Sequence, residues 1–146
     1  MGLSGTAFGT VLMDQIGDMD GSGIADNIMA SQDFEAAYDV YDCVVADDFA
    51  GDGSAINSVE LVLGGWNGFV DPSSIAGYTA NLYSGSTAAG ASLTGDIASQ
   101  YVDAADATVS ADWAGANFLV GMATDMASNP GDQLVGIIPS NDFATG

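Results

Sequence analysis

The sequence contains no lysine, no arginine and no histidine, and these absences narrow its chemistry before any motif is considered. No side-chain salt bridge can form within the chain. There is no lysine nucleophile, no histidine base or metal ligand and no arginine to hold phosphate, so most routes of polar catalysis lose their usual parts. An enzyme is therefore the weaker expectation, and no catalytic residue is assigned. Nucleic acid is all but excluded as a partner, because binding a polyanion rests on basic side chains displacing counterions. An anionic membrane surface is excluded likewise. The one cysteine, Cys43, cannot close an internal disulfide and reads as a small buried hydrophobe. No apolar run approaches the roughly 18 residues of a membrane-spanning helix, and Met1 to Gln15 lacks the basic start of a secretory signal. Without lysine or arginine the chain offers trypsin-like proteases no site, which favours persistence outside cells. The expected location is extracellular or at the cell surface.

What the sequence does hold is acid: 20 Asp and Glu, giving a formal charge of −20, with Glu35 and Glu60 the only glutamates. Like charges in a compact state repel, so cations must offset them, and divalent ions are the first candidates. With 48% hydrophobic residues in 146, the chain can bury one sizeable core, and a single domain is expected.

The hydrophobic period is that of strands. Ile56 to Trp66 places Val59, Leu61 and Leu63 on one face, ending at Gly64 and Gly65. Tyr78 to Ser84 places Tyr78, Ala80 and Leu82 inward and Thr79, Asn81 and Tyr83 outward. Ala116 to Thr124 sets Ala116, Phe118, Val120 and Met122 on a common face. Gln133 to Pro139 is apolar on both faces, as a central strand requires. Val102 to Ala107 fits either a strand or a short helical turn. Gly, Ser, Asn, Asp and Pro clusters separate these runs. The expected fold is all-β, an antiparallel β-sandwich or jelly-roll-like domain over residues 30–146. Residues 1–29 form an N-terminal extension. Within it, 6–16 is a candidate donor strand, with Phe8 and Leu12 on one face and Val11 and Met13 on the other, and 17–29 is an acidic, glycine-rich linker. Met1 to Met13 carries no charged side chain, so all the acids lie beyond it.

The linker contains Asp18-Met19-Asp20-Gly21-Ser22-Gly23-Ile24-Ala25-Asp26, half of a D-x-D-x-D-G calcium loop with serine in place of the third acid. Asp18, Asp20, Ser22 and Asp26 are the candidate Ca²⁺ ligands. The twelfth position is Met29, where an EF-hand needs a bidentate glutamate, so an EF-hand proper is rejected. A degenerate Ca²⁺ loop and a plain acidic linker both stand. Asp42, Asp47, Asp48 and Asp52 form a second acidic group, in which adjacent Asp47 and Asp48 point to opposite faces of a strand and make no catalytic pair unaided. Turn capping explains such aspartates better than paired-carboxylate hydrolysis. Trp66, Tyr78, Tyr83, Tyr101 and Trp113 are either core aromatics or the lining of a glycan groove.

Ala30-Ser31-Gln32-Asp33-Phe34, Val45-Ala46-Asp47-Asp48-Phe49, Gly64-Gly65-Trp66-Asn67, Tyr83-Ser84-Gly85-Ser86 and the closing stretch from Gly131 to Asn141-Asp142-Phe143 resemble a group of secreted bacterial β-sandwich domains of unknown function. The resemblance runs from Ala30 onward and implies a cell-surface or matrix protein with no catalytic residues to carry over. The layout of the N-terminal extension is similar to that of fibre subunits that assemble by donor-strand exchange. The leading expectation is thus an extracellular structural subunit of a head-to-tail homo-oligomeric filament, with Phe8, Val11, Leu12 and Met13 as the interface. The alternative is a monomeric secreted module that binds Ca²⁺ or carbohydrate.

Overall fold

The computed structural model describes residues 10–14, 30–65, 69, 71–85, 92–113 and 117–145, with backbone alone at 111–113 and 145. Seven strands make up its body: β1 (Ala46–Asp52), β2 (Ala55–Leu63), β3 (Gly77–Ser84), β4 (Ala98–Asp103), β5 (Thr108–Trp113), β6 (Asn117–Ala127) and β7 (Pro130–Ser140). They form a four-stranded sheet in the order β1-β7-β3-β4 and a three-stranded sheet in the order β2-β6-β5, every strand pair antiparallel. Side chains from both sheets meet in two hydrophobic clusters, which makes the fold the expected all-β sandwich. No helix among the described residues is long and apolar enough to cross a membrane.

The strongest period-2 runs become the inner strands. In β6, Val120, Met122, Thr124 and Met126 are buried at every second position. β7 is flanked by β1 and β3, so Leu134 and Ile138 on one face and Val135 and Ile137 on the other all find cover, as its two-sided apolarity requires. β2 ends at Leu63, before the glycine pair, and its Val59, Leu61 and Leu63 pack on the core. A register shift between Ile56 and Ser58 turns both Ile56 and Val59 inward, although three positions separate them. Thr124 Oγ1 donates to the Ile56 carbonyl at that irregularity, at 2.7 Å.

One expectation needs correction. Asn81 and Tyr83 do point away from the core, yet they are 0% and 5% exposed. Residues 92–95 fold back over that face: Asn81 Nδ2 donates to the Leu93 carbonyl, Asn81 Oδ1 accepts from Gly95 N, and the Tyr83 hydroxyl donates to the Ser92 carbonyl. A loop returning over a sheet leaves no period in the strand that it covers. The ambiguous stretch from Val102 to Ala107 is both things in turn, the end of β4 and then a 3-10 turn at Ala104–Asp106.

The chain changes sheets four times, and two of these crossings, from β1 to β2 and from β6 to β7, are locked together. Gln133, 1% exposed, accepts from Asn129 N and donates to the Asn129 carbonyl, while Ser128 Oγ donates to the Ser54 carbonyl. Gly51 lies against this lock, since a Cβ there would stand 1.9 Å from Gln133 Nε2 and 2.3 Å from the Asn129 carbonyl oxygen. Gly53, at φ +85°, makes the turn between β1 and β2. Gly51→Ala must therefore displace backbone, and is expected to cost about 3 kcal/mol or more of stability, at or above the upper end for overpacking. Gly85→Ala, which meets only open space, is expected to cost about 1–2 kcal/mol from its left-handed backbone alone. Urea denaturation of both variants checks the ranking.

Candidate functional site

The cluster at one end of the sandwich is built from Phe49 of β1, Ala80 and Leu82 of β3 and Met126 of β6, with Ile56, Val59, Ile97, Ala98 and Val135 around it. Leu12 and Met13 complete it from the N-terminal segment. Both are half-buried, whereas Val11 is 73% exposed. Residues 10–14 take no strand pairing, and the chain bends at Leu12, which is why Leu12 and Met13 turn inward together instead of to opposite faces. Phe8, the fourth expected interface residue, lies outside the described residues. Half-burial of two such side chains contributes on the order of 2 kcal/mol in all. That is enough to seat the segment and too little to fix it permanently.

Of the second acidic group, Asp42, Asp47 and Asp52 accept hydrogen bonds from backbone amides, and Asp52 holds the turn between β1 and β2. Asp42 Oδ1 accepts from Phe34 N at 2.8 Å, Asp47 Oδ1 from Asp48 N at 2.9 Å, and Asp52 Oδ1 from both the amide and the hydroxyl of Ser54. Asp48 itself is exposed on the outer strand β1. Two further caps escaped the sequence reading. Asp71 accepts from Ser73 N at the head of a 3-10 turn, and Asp96 accepts from the amide and hydroxyl of Ser84, twelve positions away. Asp52-Gly53-Ser54 and Asp71-Pro72-Ser73 share an Asp-x-Ser signature of a local turn, so the second was legible. The Asp96 contact is long-range and leaves no local signal. In each of these three pairs the serine hydroxyl, and then the serine amide, holds the carboxyl below its ordinary range. Among the described residues no three acidic or cysteine side chains converge on a metal position. Asp18, Asp20, Ser22 and Asp26 lie outside the described residues.

The aromatic candidates do not share a groove. Tyr78 faces the core and Tyr83 the opposite side of β3, beneath residue 92, while Tyr101 is half-exposed on β4. Trp66 and the Trp113 side chain lie outside the described residues. A different aromatic group forms where the segment before β1 meets the end of the chain. Tyr38 stacks on Phe143 at 4.2 Å, Tyr41 at 5.3 Å, and Phe34 meets the same ring edge-on at 5.1 Å. Tyr38 and Tyr41 align because three residues make one turn of a 3-10 helix, here at Asp39–Tyr41. Glu35 accepts from Phe143 N, and Asp33 pairs by backbone with Asn141 and Pro139, so this group fastens the segment before β1 to the end of β7.

No family model, curated protein or solved structure matches this chain. The site must therefore be read from its own geometry, which offers a seat for an apolar segment and a set of carboxylates bonded to neutral donors.

A lowered folded-state pKa means stability that is present above the ordinary value of 3.8 and is lost as pH falls through the folded value. Asp52→Ala and Asp96→Ala should therefore lower Tm relative to wild type at neutral pH, and the gap should close below pH 3.8. Asp132→Ala, which removes an exposed charge and no cap, should leave Tm unchanged or raise it. Thermal melts across pH 2 to 7 check this.

Proposed function

We propose that this chain is an extracellular structural domain, a subunit of a head-to-tail filament in which Leu12 and Met13 of one protomer fill the Phe49, Leu82 and Met126 cluster of the next. One observation carries the reading: Leu12 and Met13 seat in that cluster through side chains alone, with no strand pairing to tie residues 10–14 to their own sheet. Fifteen residues separate Asp14 from Ala30, a length that reaches at most about 50 Å when extended. The same contact can then be made within a chain or between chains. Between chains it is heterologous and propagates without closing, as exchange of an identical element allows. The absence of lysine and arginine, which denies trypsin-like proteases a site, supports a location outside cells.

The contact made within one chain gives the second reading, a monomeric secreted module. Assembly is tested by deleting residues 1–15 and imaging both proteins by electron microscopy at equal concentration. The full chain is expected to give filaments and the truncated chain a soluble monomer. Filaments of normal length from the truncated chain would sink the proposal.

Cations belong to the same proposal. Protomers of charge −20 repel within a screening length of about 10 Å at 0.1 M salt, so divalent ions, Ca²⁺ above all, should favour stacking. Chelation at low ionic strength is expected to shorten the filaments or lower their melting temperature. Indifference to chelator would leave apolar insertion as the sole driving force and Asp18 to Asp26 as a plain linker.

A further inference from the structure

An exposed group of large hydrophobic side chains stands at the 3-10 turn before β1. Tyr38, Val40 and Tyr41 all meet solvent there, Val40 at 83% and Tyr41 at 54%, and every residue from Glu35 to Tyr41 is exposed. Both tyrosines stack on Phe143, which covers one face of each ring. With one face covered and more than half of the residue exposed, Tyr41 shows its other face to solvent. A single exposed hydrophobic side chain needs no explanation, whereas several together with a polar rim mark an interaction surface.

Carboxylates form that rim. Glu35 accepts from the Phe143 amide, Asp42 from the Phe34 amide and Asp142 from the Ala144 amide, so all three are held at the backbone of the aromatic group or of the residue next to it. Asp39, exposed, lies between the two tyrosines in the same turn. The sign of charge decides what can cover such a surface. A second copy of this chain brings 20 acids and no base, and would set carboxylates against carboxylates. A neutral apolar partner would take water from the rim and leave its charges unpaired. The chain has no cationic side chain of its own to lay across an aromatic face, so a cation here comes from another molecule. A guanidinium suits both halves of the surface, because it is planar and weakly hydrated, stacks on aromatic rings and pairs with carboxylates through parallel hydrogen bonds.

We propose that the Tyr38 and Tyr41 shelf docks an arginine-bearing segment of a basic partner protein, with a guanidinium stacked on the open face of Tyr41 and the carboxylates of the rim supplying the countercharge. The surface is independent of filament assembly, since none of its residues belongs to the Leu12 and Met13 seat.

Fluorescence anisotropy of the full chain at about 0.15 M salt tests this with two labelled peptides, one of arginine alternating with glycine and the other its lysine counterpart. Circular dichroism checks the fold of each variant. The arginine peptide is expected to bind saturably and the lysine peptide several-fold more weakly. Tyr41→Leu, which keeps an apolar side chain and removes the ring, should lower affinity for the arginine peptide about fivefold, and Tyr41→Phe should retain it. Asp39→Asn should lower it about threefold. Asp132→Asn, which removes the same charge near the opposite end of β7, should leave it unchanged. Equal affinity for the two peptides, wild-type affinity in Tyr41→Leu, or equal losses in Asp39→Asn and Asp132→Asn would overturn the assignment and leave only the attraction of a cation to the net charge.

Discussion

In a chain with 20 acidic side chains and no basic one, every carboxylate must be solvated or bonded to a neutral donor. The structure meets this constraint by using backbone amides and serine hydroxyls where other proteins use lysine and arginine. Asp52, Asp71 and Asp96 each take a serine, Asp42 takes the Phe34 amide and Glu35 the Phe143 amide. These contacts sit at the turns and crossings, so the charges that oppose compaction also fix where the chain reverses. Aspartate dominates over glutamate for a stereochemical reason: its short side chain reaches amides one or two positions on, as at Asp47 and Asp52. The interior is left to apolar side chains and a few neutral amides, of which Gln133 and Asn81 each bond to backbone through both the amide oxygen and the amide nitrogen.

Legibility in the sequence followed burial on one face. β2, β3, β6 and β7 were readable because alternation or two-sided apolarity marks a strand with a face on the core; β3, β6 and β7 are inner strands, and β2 is an edge strand whose Val59, Leu61 and Leu63 pack on the core. β4 and β5, rich in Ala, Ser, Thr and Asp, are edge strands and carry little pattern: Ser99, Tyr101 and Asp103 of β4 and Thr108, Val109 and Ser110 of β5 are exposed. The cover over Asn81 and Tyr83 and the Asp96 cap depend on contacts nine to fourteen positions apart, which leave no local period. The Leu12 and Met13 seat was legible as an uncharged, β-prone segment. The bend that turns both side chains inward was not, because the two-residue period assumes a strand that this segment does not form.

The two hydrophobic clusters differ in how they are closed. Tyr78, Val102, Val120 and Met122 sit in a cluster completed by residues of the strands and their short connecting turns. The Phe49, Leu82 and Met126 cluster is completed by a segment held through two half-buried side chains. Regions with few buried apolar contacts and no strand pairing open at the low end of a protein's local stability range. Residues 10–14 are therefore the part of the molecule best placed to leave and be replaced by an identical segment from a neighbour, and the proposed assembly depends on that step.

The most direct measurement is a mixed cross-link. Two single-cysteine proteins are prepared with Cys43→Ser, one carrying Leu12→Cys and the other Met126→Cys, and are mixed at the concentration at which assembly is sought. Insertion between chains predicts a disulfide-linked heterodimer that forms only in the mixture, and longer ladders from a chain that carries both cysteines. If the doubly substituted chain closes only on itself and the mixture stays monomeric, Leu12 and Met13 serve their own sandwich and the filament account is wrong.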